Sequence, residues 1–175
     1  MIYALCGPSG VGKTTVLKRL LACQPQLEAL VTLTTRAPRS EEVNHVDYHF
    51  VSQETFQQEM HAGHIVCPLS YRGEWYGIRR TDLLACTTKE VVAVLRPDKL
   101  SALQTLTPLV GIYLSGDKDN ETIAAEDQII VAHRHQCRYQ MVNRSGDLER
   151  TVEQVLTLLR TYTGGLPWNT PRSIV

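Results

Sequence analysis

Eight consecutive residues, Gly7-Pro8-Ser9-Gly10-Val11-Gly12-Lys13-Thr14, spell G-x-x-x-x-G-K-T. Each residue type in that pattern does a separate job. The glycines let the backbone curl so that its N–H groups point inward at phosphate oxygens. A helix beginning at the loop's end adds the partial positive charge of its N-terminus. The Lys13 ammonium can reach β- and γ-phosphates, and the Thr14 hydroxyl can hold Mg²⁺. The expected nucleotide-binding set is therefore Gly7, Ser9, Gly10, Val11, Gly12, Lys13, Thr14 and Thr15, binding a nucleoside triphosphate with Mg²⁺ and with Thr14 as the metal ligand.

Such a loop needs a strand before it and a helix after it. Ile2–Cys6 is a short apolar run of the buried-strand kind, and 13–23 repeats Val16, Leu17, Leu20 and Leu21 at helical spacing. Leu30–Thr35 alternates and is β-branched, which predicts a strand. From Arg36 to about Leu84 the texture changes. A strand is expected at Tyr48–Val51, and a helix from an N-cap at Ser52 to about Ala62 with Gly63 closing it. A hairpin is expected about Arg72-Gly73. The α/β rhythm then returns: strands at Val91–Leu95, Leu109–Leu114 and Tyr139–Val142, helices at Asp98–Leu106, Thr122–Cys137 and Asp147–Tyr162.

This alternation implies an α/β fold, a parallel sheet of the P-loop NTPase type with helices on both faces. A small mixed α/β insertion, about 32–84, interrupts a core of 1–31 and 85–163. Residues 164–175, with Trp168 among them, read as an extended tail packing on the body.

At 175 residues and 43% hydrophobic, the chain is one domain able to build a core. Lys+Arg and Asp+Glu are 18 each, which excludes a dominant polybasic or polyacidic face. No apolar run approaches the roughly 20 residues of a membrane span, and no leader segment is visible, so neither a nucleic-acid nor a membrane partner is expected. The five cysteines are odd in number and widely spaced, without C-x-x-C, which favours free thiols in the cytoplasm. His61 with His64, and His133 with His135, lack a third ligand and read as surface histidines.

Four segments in order resemble the guanylate kinase family: the loop through Thr15, then Thr34-Thr35-Arg36-Ala37-Pro38-Arg39, then Val46-Asp47-Tyr48-His49-Phe50-Val51-Ser52, then Trp75-Tyr76-Gly77. The resemblance implies ATP-dependent phosphoryl transfer from ATP to GMP, giving GDP. The resemblance makes the insertion at about 32–84 the acceptor-binding part. Arg36 and Arg39 would hold the acceptor's phosphate, and guanidinium forks suit a dianion independently of the resemblance. Tyr48 and Tyr76 would touch that phosphate, and Thr32 would stand near the guanine. No protein nucleophile is required. Lys13, Arg36, Arg39 and a lid arginine, Arg134, form the expected catalytic set, with Arg138 the other lid candidate.

Three departures bear on the substrate. The family's guanine-reading glutamate falls at Cys67, and a thiol cannot accept from N1–H and the 2-amino group together. Its acids after the Val91–Leu95 strand fall near Arg96. Its arginine-rich lid, due after Leu114, is short and less basic here. Thr32, Arg36, Arg39, Tyr48, Cys67, Tyr76 and Arg96 make up the expected acceptor-binding set, and Arg79 and Arg80 are expected to add to a basic pocket. Two alternatives stay open: a kinase for another phosphorylated small molecule such as ribose 1,5-bisphosphate, and a nucleotide-binding module with little or no turnover.

Overall fold

The computed structural model describes residues 1–116 and 125–162. In chain order its elements are β1 (Ile2–Cys6), α1 (Lys13–Cys23), β2 (Glu28–Ala29), β3 (Leu33–Thr34), β4 (His49–Phe50), α2 (Gln53–His61), β5 (Ile65–Tyr71) and β6 (Glu74–Arg79). They continue with α3 (Arg80–Ala85), β7 (Val91–Val94), α4 (Leu100–Gln104), β8 (Leu109–Ser115), α5 (Ala125–Ala132), β9 (Tyr139–Val142) and α6 (Leu148–Tyr162).

The main sheet runs β2-β7-β1-β8-β9 and is parallel throughout. Every residue of β1 is buried because helices cover both faces, which is why the strand reads as an unbroken apolar run. Alternate side chains feed two cores. Tyr3 and Leu5 pack with Val16 and Leu20 of α1 and Val152, Val155 and Leu159 of α6. Ile2, Ala4 and Cys6 pack on the other face with Leu83 of α3, Leu100 and Leu103 of α4, and Ile130 of α5. The chain leaves β1 toward β7 first and crosses to β8 and β9 later. The gap between β1 and β8 is thus a topological switch point, where ligands bind beyond the strands' carboxyl ends.

A second sheet, β4-β3-β6-β5, stands apart from the first. β3 pairs parallel with β4 and antiparallel with β6, and β5 and β6 form the expected hairpin about Arg72-Gly73. Leu33, Phe56 and Ile65 make its own small core. The Ser52 hydroxyl accepts from Thr55 N–H at 3.1 Å, capping α2 as its position implies, and Gly63 follows the helix at φ +71°.

Three elements differ from the sequence reading. The strand expected over 30–35 shrinks to β3, Leu33–Thr34, which pairs with β6 in the second sheet, while β2 pairs with β7 in the main sheet and ends at Ala29, before that run begins. Leu30 belongs to the core of the main sheet and Leu33 to that of the second, so one alternating run serves two cores. The helix expected from Asp98 opens as a 3-10 turn, Pro97–Lys99, before α4. The helix expected to reach Cys137 stops at Ala132, and a 3-10 turn, Arg134–Gln136, follows. Residues 117–124, where the lid is expected, and 163–175, which contain the tail expected over 164–175, lie outside the described residues.

Candidate functional site

The loop from Gly7 to Thr14 sits at the switch point, between the end of β1 and the start of α1. Gly10 and Gly12 adopt φ of +80° and +87°, backbone that glycine enters without strain. Lys13 Nζ donates to the carbonyls of Gly7 at 2.8 Å and Pro8 at 2.6 Å, so the ammonium lies along the loop with one N–H left for a phosphate oxygen. Burial holds the Lys13 pKa below its ordinary value, and Cys6 and Asp127 offset only part of that.

A residue 132 positions away braces the loop. Asn143, just beyond β9, donates from Nδ2 to Val11 O at 2.8 Å and accepts from Thr151 Oγ1 at 2.8 Å. Its own N–H donates to Ser115 O at 2.8 Å. Asn143→Ala therefore leaves the Val11 carbonyl and the Thr151 hydroxyl without these partners. It is expected to cost about 1–2 kcal/mol, read as a lower urea midpoint at unchanged slope. An unchanged midpoint would mean that the brace contributes nothing to stability.

Opposite the loop stand side chains of the second sheet and its connections. Arg36 donates from one guanidinium nitrogen to Glu42 Oε1 at 2.8 Å and from the other to Ala37 O at 2.7 Å. Its Cζ lies 5.5 Å from the Tyr48 ring centroid and 5.7 Å from that of Phe50. Glu42 Oε2 accepts the Arg39 N–H at 2.8 Å, so one carboxylate fixes the guanidinium of one arginine and the backbone of the other. The Arg36 hydrogen bond holds the Glu42 carboxyl below its usual range. Burial raises the Tyr48 pKa, which keeps its hydroxyl a proton donor. Tyr48 and Tyr71 each meet Tyr76 edge to face with centroids 6.3 Å apart.

Both walls line one cleft of about 280 Å³. It brings together Gly7, Ser9, Gly10, Lys13 and Thr14 on one side with Thr32, Arg36, Arg39, Tyr48, Cys67, Tyr76 and Arg96 on the other. Among the described residues five cations line it (Lys13, Arg36, Arg39, Arg96 and Lys99) against one acid, Glu42. Cys67 sits at φ +50° where the β5–β6 register shifts between Val66 and Leu69, which turns it toward the cleft. Arg96 Nε donates to Asp98 Oδ1 at 2.9 Å, and its Cζ lies 5.4 Å from the Tyr71 ring centroid. Asp98 thus neutralises Arg96 instead of presenting a free acid.

Several expected residues stand elsewhere. Arg79 makes two hydrogen bonds to Glu59 of α2, both 2.8 Å, and Arg80 donates to Gly63 O at 3.3 Å; neither lines the cleft. Arg134 is exposed on its 3-10 turn and does not line the cleft either. Arg138 lies against aromatic rings, its Cζ 5.5 Å from the Tyr162 centroid and 5.9 Å from that of Tyr139. Val11 is buried behind the loop and Thr15 is exposed on α1, outside the cleft lining. Glu42, Tyr71, Lys99, Asp127 and Asn143 were not singled out by sequence. Only Glu42 had a local signal, as an acid three residues after Arg39.

A parallel sheet with helices on both faces, a glycine loop at its switch point and a small arginine-bearing sheet facing that loop define an α/β protein with a two-walled cleft. The chain belongs to the guanylate kinase family: that family's sequence model, described as guanylate kinase, matches residues 1–110. The guanylate kinase of Chlamydia felis is 36% identical over 117 residues, which are 65% of this chain and 57% of that protein. The guanylate kinase of Maricaulis maris is 29% identical, with 91% of this chain aligned to 82% of it. The Chlamydia felis and Chlamydia caviae matches span 57% and 60% of those relatives' lengths. The crystal structure of guanylate kinase from Anaplasma phagocytophilum shares the fold, with a TM-score of 0.76 at 23% identity over 92% of this chain and 85% of that one. Among the described residues no helix is long and apolar enough to cross a membrane, and no group of three or more His, Cys, Asp or Glu is placed to hold a metal.

Proposed function

We propose that the protein transfers the γ-phosphoryl group of ATP to a nucleoside monophosphate, with GMP as acceptor and GDP and ADP as products. One observation carries this reading: the glycine loop and the Arg36–Arg39–Tyr48–Tyr76 cluster face each other across one cleft. The names of the relatives in the family support the choice of acceptor.

The loop fits a triphosphate. Its glycines take positive φ, Lys13 is oriented by two carbonyls, and the Thr14 side chain lines the cleft where it would hold Mg²⁺. Bound there, the ion would neutralise phosphate charge. Arg36 and Arg39 hold the acceptor's phosphate, Tyr48 and Tyr76 donate to it, and Lys13 offsets charge as the phosphoryl group moves. Catalysis of this kind is positioning plus electrostatics, and no side chain forms a covalent intermediate. Thr32, Cys67 and Arg96 face the acceptor's base. A reducing, cytoplasmic setting belongs to the same reading and agrees with five cysteines that are all free thiols.

The test is ADP release with ATP and Mg²⁺ against GMP, dGMP, AMP, CMP and UMP. GMP is expected to give the highest kcat/KM. Higher turnover on another acceptor would overturn the choice of GMP, and none on any of the five would overturn the monophosphate kinase reading.

A further inference from the structure

Asp127, on α5, is 4% exposed, yet it is buried against the glycine loop and not within an apolar core. Its Oδ2 accepts the Ser9 N–H at 3.1 Å, and its Oδ1 accepts the Tyr71 hydroxyl at 3.1 Å. Tyr71 Oη is also 3.1 Å from Ser9 Oγ, which closes a ring of three groups from the loop, the second sheet and α5. Among the described residues no lysine or arginine forms an ion pair with Asp127. The carboxylate is therefore held by the kind of donors that hold phosphate: a backbone N–H of a glycine-rich loop and a phenol. Ser9, Tyr71 and Lys13 all line the cleft, so the charge stands directly behind the loop's mouth.

We propose that Asp127 is an internal anion that competes with the nucleotide's polyphosphate for the loop and so lowers the enzyme's affinity for ATP. The inference rests on the donor half of the function proposed above, ATP at the loop, and not on the identity of the acceptor. A buried carboxylate repels an incoming polyanion, because the low-dielectric wall beside it screens poorly. One donor of the loop, the Ser9 N–H, is also already engaged, so an incoming phosphate must displace the carboxylate or forgo that hydrogen bond. Tyr71 ties the device to the acceptor side, since its ring meets Tyr76 and carries the Arg96 guanidinium. Holding Asp127 in place therefore also holds the second sheet against the loop.

A brace and a competitor predict opposite signs. Removing a brace weakens nucleotide binding or leaves it alone, whereas removing a competitor strengthens it. The experiment is calorimetric titration of the whole chain, without acceptor, using inorganic tripolyphosphate and ATP with Mg²⁺. Asp127→Asn keeps the shape and one acceptor oxygen but drops the charge. It is expected to bind both ligands about tenfold more tightly. AMP, with one phosphate, is expected to gain less. Tyr71→Phe keeps the charge and removes one of its two holds, and is expected to tighten ATP by a smaller factor. It also keeps the test open should the first variant fail to fold. Unchanged or weaker binding in the folded variants would overturn the competitor and leave the kinase reading standing. No binding of ATP by wild type or variants would overturn both.

Discussion

Lys13→Ala is expected to lower kcat by about 10³-fold, the scale on which removing one preorganised charge or donor from a transition state is felt. The Nζ donates to the Gly7 and Pro8 carbonyls, so its direction is fixed by the loop that would carry the phosphates. A cation held this way needs no reorganisation when charge builds on the phosphoryl group, whereas water filling an alanine's space would. Folding is expected to change little, within about 1 kcal/mol, because the lost hydrogen bonds are offset by no longer burying an ammonium. Lys13→Arg is expected to restore little of the rate, since a planar fork does not replace a point charge seated on two carbonyls. The measurement is the single-turnover rate at saturating ATP and acceptor, with the unfolding midpoint as control. A rate within tenfold of wild type at an unchanged midpoint would mean that the loop does not carry the chemistry, and the proposed function would go with it.

The parts of the molecule legible in the sequence are those whose physics is local. The loop needs its residue types at fixed offsets, and β1, α1 and β9 need only an apolar run or stripe; all three have the boundaries expected of them. The wall opposite the loop was legible through resemblance because Arg36, Arg39, Tyr48 and Tyr76 sit within short motifs. What was not legible depends on partners far along the chain. Arg79 leaves the cleft because Glu59, 20 residues earlier, takes its guanidinium. Asn143 and Asp127 reach the loop from 132 and 118 residues away, and no spacing rule announces such contacts. The run 30–35 misled for a different reason. Its alternation was real, but Leu30 and Leu33 feed separate cores, and periodicity reports burial without saying in what. Asp98 shows the limit of counting charges: it lies beside Arg96 in sequence and is spent on it in space.

Gly7→Ala tests the geometry on which everything else at the loop depends, and is expected to be the most destabilising single change in the loop. Gly7 has φ +141°, which L side chains rarely adopt. An added Cβ would run into the carbonyl oxygen of Leu114 and come within 3.2 Å of its carbon and of Val11 Cγ1. The obstacle is backbone, not a flexible side chain. Leu114 is fully buried in β8, one residue beyond the Cys6–Tyr113 register pair, so relief requires prising β1 from β8 at the switch point. Such a clash is expected to cost more than about 4 kcal/mol, against a typical domain stability of about 5–15 kcal/mol. The variant should be largely insoluble or melt far below wild type in a circular-dichroism scan. Gly10→Ala is the internal comparison. Its φ of +80° is also strained, but nothing lies within 4 Å of an added Cβ, so only the strain remains, about 1–2 kcal/mol. A Gly7→Ala midpoint no lower than that of Gly10→Ala would mean that β1 and β8 can part at the loop without loss. The close approach of the two strands would then not be what holds the loop in place.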